Sequence, residues 1–322
     1  MKIILVTGAA GFIGSCISKL LLRQGVQVVG LDNMNDYYDV RFKEYRLKEL
    51  KALPDFHFHK CDIEDISALK RIFNKYRFDA VMNLAARAGV RYSMENPFVY
   101  MTTNANGTLN LLEQCRTHDV KKFLLASTSS LYAGQEMPFK ESLPVNTPIS
   151  PYAASKKGAE VMAFTYHYLY GIDVSVVRYF TVYGPAGRPD MGVFRFIKWI
   201  DEGKPLQLFG DGSQSRDFTY VDDIAAGSVK ALKNVGYKII NLGGNDPYDI
   251  NALIALIEKN LGKKATFQHH DFHKTDMKAT WADISEAQKI LKWSPKISLE
   301  QGIKQTVDWY LQNKSWLTKI NV

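Results

Sequence analysis

The sequence predicts an α/β fold, with a doubly wound parallel sheet and a smaller mixed α/β domain. Three observations lead there: short apolar runs alternating with amphipathic helical stretches from the first residue, a glycine-rich turn directly after the first run, and a loosening of that order beyond Arg178. Runs that are apolar on both faces, separated by amphipathic segments, are what a parallel sheet covered by helices requires.

The predicted strands are 3–6, 26–31, 56–59, 80–84, 123–126 and 174–177. Beyond them, Gly184, Pro185, Gly187, Arg188 and Pro189 mark an irregular stretch, and 203–212 reads as a turn-rich connection. The run 238–242, closed by Gly243 and Gly244, reads as one more buried strand returning to the first sheet before helices at 250–261 and 299–311. The expected division is therefore discontinuous. Residues 1–178, with 222–245 returning to them, form one domain, and 179–221 with 246–322 form the other.

With 322 residues, 46% hydrophobic and 23% charged, the chain can bury a large core. No apolar run approaches the ~18 residues of a membrane span, and the opening apolar stretch is too short for a secretory signal, so a cytoplasmic protein is expected. Cys16, Cys61 and Cys115 are odd in number and share no metal-ligand or redox spacing, so neither a disulfide nor a metal is expected. The net charge of +8 suits an anionic ligand. The basic residues are scattered, however, and no nucleic-acid motif accompanies them, which reads as a solvated basic surface with neither nucleic acid nor membrane as partner.

After the first strand come Gly8, Gly11, Phe12, Ile13 and Gly14, and an amphipathic helix follows over 13–23. A tight strand-to-helix turn lets backbone amides and the positive helix end face a pyrophosphate, and glycine is needed where a side chain would block close approach. A glycine triplet alone is weak. Here it is succeeded by a second strand ending in Asp32, which is the context a dinucleotide site of the Rossmann kind demands. Asp32 is placed to accept from the adenosine ribose hydroxyls, and its charge opposes a 2′-phosphate, favouring NAD over NADP. Asp62 and Ile63 either contact the adenine or, in the case of Asp62, cap a helix ahead of Glu64 and Asp65.

Tyr152 and Lys156 are four residues apart and so share one helix face. Thr128, Ser129 and Ser130 stand at the carboxyl end of the fifth strand, the edge where doubly wound sheets build their sites. A phenol is a poor base at neutral pH, but a nearby ammonium and a positive nicotinamide ring both favour phenolate. Such a phenolate could take the proton of a sugar hydroxyl while Thr128 fixes that hydroxyl's direction. Lys156 could also hold the nicotinamide ribose.

The glycine turn, Asp32, the string 83–86, Thr128, Tyr152 to Lys156 and Arg178-Tyr179-Phe180 resemble extended short-chain dehydrogenases over nearly the whole chain. Within that superfamily the strings 31–39, 88–93, 180–185 and 187–191 are similar to the UDP-glucuronate 4-epimerases. The resemblance implies an NAD-dependent isomerase that oxidises sugar carbon 4, rotates the 4-keto sugar and returns the hydride to the opposite face. It implies Asn33, Leu84, Ala85, Ala86, Asn104 and Tyr179 as further cofactor-binding residues. It implies Arg87, Ser129, Ser130, Thr181, Arg188, Val193, Arg216 and Asp276 as the UDP-sugar-binding residues.

Related dehydratases and decarboxylases carry acidic residues after the catalytic threonine or serine, where this chain has Ser129 and Ser130, so elimination is disfavoured. Galactose-type epimerases have asparagine where this chain has Thr181. Arg188 offers a planar fork for a carboxylate, its alternative being a loop ion pair. UDP-glucose and UDP-N-acetylglucosamine remain alternative substrates, and an inactive NAD-binding scaffold is the alternative of another class. Asn83, Arg87, Ala133 and His273 depart from residues common in relatives. Helices over 97–115 and 152–170 are apolar on more than one face, and the resemblance suggests a homodimer built through them.

Overall fold

The computed structural model describes residues 2–272 and 277–322. Strand and helix alternate as β1 (Ile3–Thr7), α1 (Phe12–Arg23), β2 (Gln27–Asp32), α2 (Arg41–Lys51), β3 (Phe56–Lys60), α3 (Ile66–Lys75) and β4 (Ala80–Asn83). Two short pieces, α4 (Val90–Glu95) and α5 (Phe98–Tyr100), lead through a π-helical turn at Met101–Asn106 into α6 (Gly107–Thr117). Next come β5 (Lys122–Thr128), a 3₁₀ turn at Ser129–Tyr132, α7 (Pro151–Tyr170) and β6 (Asp173–Tyr179). The second half comprises β7 (Thr181–Tyr183), α8 (Gly192–Glu202), β8 (Leu206–Phe209), β9 (Ser215–Tyr220), α9 (Val221–Lys230), β10 (Tyr237–Leu242), β11 (Pro247–Asp249) and α10 (Ile250–Leu261). It ends with β12 (Phe267–His270), α11 (Leu299–Gln312) and α12 (Lys314–Leu317).

Seven strands form one parallel sheet in the spatial order β10-β6-β5-β4-β1-β2-β3. Side chains alternate across it, as the period of two dictates. Ile4, Val6, Val28, Leu124 and Ala126 face the layer that holds Ile17 and Leu21 of α1 and Ile224 of α9. Leu5, Val29, Phe123 and Leu125 face the opposite layer, with Leu69 and Phe73 of α3, Leu111 and Leu112 of α6, and Ala159 and Ala163 of α7. The two edge strands are the less covered ones, the His-rich β3 along its whole length and β10 over its first half. The order reverses between β1 and β4, which opens a crevice at their carboxyl ends.

The remaining strands form two small sheets, β11-β9-β7 and β12-β8. They share a third core with Phe194 and Ile197 of α8, Leu253 and Ile257 of α10, and Ile303 and Val307 of α11. The sequence treats 203–212 as a connection, but Leu206–Phe209 pairs in parallel with β12, a partner sixty residues away that no local pattern could reveal. Residues 97–115 are likewise not one helix, since the π turn interrupts them. No helix of the described residues is long and apolar enough to cross a membrane.

One buried carboxylate ties the later segments together. Asp217 of β9 accepts from the amides of Gly244, of Asn245 at 3.0 Å and of Ala282 at 2.9 Å. Replacing Asp217 by Ala leaves these buried donors without that acceptor, and at about 1 kcal/mol or more each the loss should total about 3 kcal/mol in urea unfolding. A change below about 1 kcal/mol would mean that water takes over the role.

Candidate active site

The glycine turn is shaped by its own backbone. Gly8 has φ +66°, and its carbonyl oxygen accepts from the Gly11 amide at 2.9 Å. That same oxygen would stand 2.8 Å from a Cβ on Gly11 and 2.1 Å from one on Gly14, so neither position admits a side chain without moving the backbone. The turn delivers the chain into α1, whose N-cap position is Gly11, with no side-chain cap and no acid in its first turn. Its leading amides therefore face the crevice as an anion site.

A cleft of about 520 Å³ runs from this turn along the carboxyl edge of the sheet. Gly8, Gly11, Phe12, Ile13, Gly14, Asp32, Asn33, Asp62 and Ile63 line one end, with Leu84, Ala85 and Ala86 beside them. Thr128, Ser129, Ser130, Tyr152, Lys156, Tyr179, Thr181, Arg87, Arg188 and Arg216 line the rest. Two residues inferred from the resemblance are not in this lining. Asn104 is buried, accepting from the Arg87 amide at 2.8 Å and donating to the Arg87 carbonyl and to Ser155 Oγ, both at 2.9 Å, so it fastens the loop after β4 to α7. Val193 lines an adjoining cavity of about 220 Å³ that shares Thr181, Arg188 and Arg216 with the cleft. Asp276 and His273 lie outside the described residues.

At the turn-rich end, Asp32 is not a bare carboxylate. It accepts from the Met34 amide at 2.8 Å and from the Lys43 ammonium at 3.3 Å, with both side chains only 6% exposed. Repulsion of a 2′-phosphate is thus weaker than the isolated acid suggests. Asp62 accepts from Asn33 at 2.7 Å and from the Glu64 amide at 2.9 Å, while the cap of α3 is Asp65.

Tyr152 and Lys156 lie one turn apart on α7, which Ser150 caps through the Ala153 amide. Lys156 is buried and donates to the Ala126 carbonyl at 3.0 Å. Burial pushes its ammonium down to about 8, against the pull of Glu160. Burial also lifts the Tyr152 phenol above the ordinary tyrosine value, against a hydrogen bond with Thr128 and the positive charge of Arg188, and Tyr37 adds to the rise. The sequence assigns Lys156 as a cation that keeps the phenol ionised. In the folded protein burial lowers the ammonium and raises the phenol, and Arg188 adds a further positive charge that favours phenolate.

Around these stand further residues to which the sequence assigns no role. Tyr37, from the loop after β2, lies with its ring 5.8 Å from the Arg87 guanidinium and 5.6 Å from that of Arg188. The Tyr100 ring lies edge-on to Tyr152 at 6.0 Å. Lys43 belongs to α2, whose many charges read as a solvated face. Its apolar residues Phe42, Leu47 and Leu50 mark the side that is buried.

A nucleotide-binding turn, a carboxylate ending β2, and a phenol and ammonium one turn apart beside a strand-end threonine define a short-chain dehydrogenase site. The family profile described as GDP-mannose 4,6 dehydratase matches residues 5–306. The chain is 58% identical to a UDP-glucuronate 4-epimerase of Thermodesulfobacterium geofontis, covering 99% of both chains. The structure of a UDP-glucuronic acid 4-epimerase from Bacillus cereus, in complex with UDP-glucuronic acid and NAD, superposes with a TM-score of 0.90 at 40% identity, covering 97% of this chain and all of that one. A UDP-glucose 4-epimerase from Thermotoga maritima, at 31% identity, gives a TM-score of 0.88, covering 98% of this chain and all of that one. The chain belongs to this family of extended short-chain dehydrogenases.

The buried ammonium has a measurable signature. Lys156 titrates lower in the fold than the 10.5 of a free lysine, so in the unfolded chain it holds its proton to higher pH. The fold is therefore penalised by order 3 kcal/mol at pH 7, and the penalty fades as pH rises through 8 towards 10.5. Lys156→Met should accordingly lose about 2–3 kcal/mol of stability relative to the parent between pH 7 and pH 10, read from thermal melts of cofactor-stripped protein. A difference independent of pH would mean that the ammonium is solvated.

Proposed function

We propose that the protein is an NAD-dependent UDP-sugar 4-epimerase that interconverts UDP-glucuronate and UDP-galacturonate through a transient 4-keto sugar. The reading rests on one observation: the Tyr152 phenol, Thr128 and Arg188 meet in the same cleft that the uncapped glycine turn opens. The residues fit a dinucleotide, because the Gly8–Gly14 turn, closed on its own backbone, brings an uncapped helix start to the cleft. Residues 1–178 with 222–245 would then bind NAD, and 179–221 with 246–322 the nucleotide sugar. The seven-stranded sheet, which includes β10, and the small sheets built on β7, β9 and β11 favour that division.

The α1 amides and Gly8, Gly11, Phe12, Ile13 and Gly14 hold the pyrophosphate, and Asp32 with Asn33 the adenosine ribose. Asp62 and Ile63 border the adenine, and Leu84, Ala85, Ala86 and Tyr179 the remainder. When bound, NAD supplies a reversible hydride acceptor and a positive ring beside the phenol. Thr128 orients the hydroxyl on carbon 4, and Tyr152 Oη takes its proton as the hydride leaves that carbon. Lys156, fixed by Ala126, offers its other N–H bonds to the nicotinamide ribose. The keto sugar turns over, and Tyr152 returns the proton as hydride reaches the opposite face. Atoms and charge balance, and no net oxidation occurs.

Three features favour this chemistry and substrate. Lys43, Arg87, Lys156, Arg188 and Arg216 line the cleft against Asp32 and Asp62, both at the adenosine end, which suits a diphosphate bearing an extra carboxylate. No acid among the described lining residues stands near Thr128, so elimination lacks its acid or base. A 4-keto uronate is a β-keto acid that readily loses carbon dioxide, and Arg188 can hold its carboxylate away from the breakaway orientation, with Thr181, Ser129 and Ser130 around the sugar. Arg216 takes the diphosphate.

Purified protein should convert UDP-glucuronate to its C4 epimer without added reductant, followed by chromatography of a UDP-sugar panel. Tyr152→Phe should lose about 10²–10⁴-fold in kcat while retaining NAD. Full activity in that variant would remove the assigned base. Turnover of UDP-glucose or UDP-N-acetylglucosamine alone would reassign the substrate.

We also infer a homodimer. Phe98 and Met101 around the π turn, and Val161, Phe164 and Tyr168 along α7, are exposed apolar side chains on packed neighbouring elements. A second copy covers such a face by two-fold symmetry. Light scattering should report about twice the chain mass of 36.5 kDa, and Tyr168→Glu with Phe98→Glu should give monomers. A parent that is monomeric at all concentrations would reject the dimer.

A further inference from the structure

Arg188 does not meet the cleft as a bare cation. Its Nε donates to one carboxylate oxygen of Asp190 at 3.0 Å and its Nη2 to the other at 2.5 Å. This side-on fork is the strongest pairing a guanidinium makes with a carboxylate. Nη2 also reaches the Ala88 carbonyl at 3.3 Å. One edge of the guanidinium is thus taken up by the protein itself, and Nη1 forms no hydrogen bond within the described residues. Tyr37 and Tyr38 bound the group, their ring centres 5.6 and 5.8 Å from its central carbon. Arg188 lines the cleft, whereas Asp190 is absent from the lining.

We propose that Asp190 sets the sugar specificity of the site by occupying the forked edge of Arg188, so that a carboxylate on the sugar meets only the Nη1 end of a partly neutralised cation. The inference rests on the uronate reading given above. A 4-keto sugar must rotate within the cleft. A forked ion pair to its carboxylate would fix two atoms and resist that turn. A single donor fixes one and acts as a pivot. Binding stronger than this would hold the resting sugar more tightly than the turning one and would lower KM and kcat together. Asp190 therefore trades affinity for the uronate against freedom to turn it.

Asp190→Asn keeps a hydrogen-bond acceptor beside Arg188 and removes the competing charge. In this variant the Kd for UDP-glucuronate, measured by calorimetry on the NAD-loaded enzyme, should fall about tenfold, the change a gain of ~1.4 kcal/mol produces. kcat on UDP-glucuronate should drop several-fold, and the Kd for UDP-glucose should change less than twofold. Asp190→Glu, which restores the charge, should return both sugars towards parental values. Equal shifts for the two sugars, no shift, or weaker uronate binding would each overturn the proposal, the last by showing that Asp190 only props Arg188 in place. The parent enzyme separates the two readings. If it neither binds nor turns over UDP-glucuronate, the uronate assignment fails by itself, and Asp190→Asn must then create uronate binding for the role of Asp190 to stand.

Discussion

The placement of the Tyr152 phenol depends on two opposite charges that water does not reach. Glu160 and Arg178 are each 1% exposed and pair through two hydrogen bonds of 2.9 and 2.7 Å. Ser127 adds a third to Glu160 at 2.6 Å, and Arg178 donates to Tyr132, which donates in turn to Asn241. A buried pair gains little net stability over apolar residues of the same volume, but losing one partner costs about 3–5 kcal/mol. Its effect here is registration. Glu160 sits on α7, Ser127 on β5, Arg178 on β6, Asn241 on β10 and Tyr132 in the 3₁₀ turn, so a slip of any element strands a charge. Tyr152, Lys156 and Glu160 follow one another at four-residue steps along α7, and the helix transmits the anchor at its middle to the phenol in its first turn.

The same burial that orders this face sets its proton chemistry. Burial pushes Lys156 down to about 8 and Tyr152 upward, so the two are not locked into a permanent ion pair. The phenol keeps its proton in the protein alone at neutral pH. Becoming a base requires positive charge beyond what the protein alone supplies, and a bound nicotinamide ring would be its source. Under the epimerase reading this couples proton removal to the presence of a hydride acceptor, because the base is competent only where the acceptor stands.

What could be read from the sequence follows the range of the forces involved. The seven-stranded sheet was legible because each strand's burial is written in consecutive residues, and the glycine turn because one carbonyl at Gly8 excludes side chains three and six positions away. The cleft's lining was legible where a motif carried it, as at Thr128 and Tyr152. What escaped depends on distant partners. Leu206–Phe209 becomes a strand only against β12. Lys43 becomes a buried counter-ion only when α2 folds over Asp32, and the role of Arg188 changes once Asp190 is seen holding it. The π turn at Met101–Asn106 needs one extra residue accommodated between neighbours, and nothing in its Thr- and Asn-rich sequence marks that.

Arg46 joins the two ends of the cleft. Although it sits in the charged helix α2, it is 1% exposed. Its Nε and Nη2 donate to the Ala186 carbonyl at 2.9 and 2.7 Å, and its Nη1 donates to the Ala10 carbonyl at 3.2 Å and to Tyr38 at 2.8 Å. Ala10 lies inside the glycine turn, and Ala186 lies two residues before Arg188. A buried guanidinium left without acceptors is costly, so the carbonyls it holds cannot drift apart singly. The glycine turn and the loop that carries Arg188 are therefore tied to one another through Arg46. Under the epimerase reading, the freedom a rotating sugar needs would come from the contacts made to the sugar itself, and the proposed single-donor contact of Arg188 would provide it.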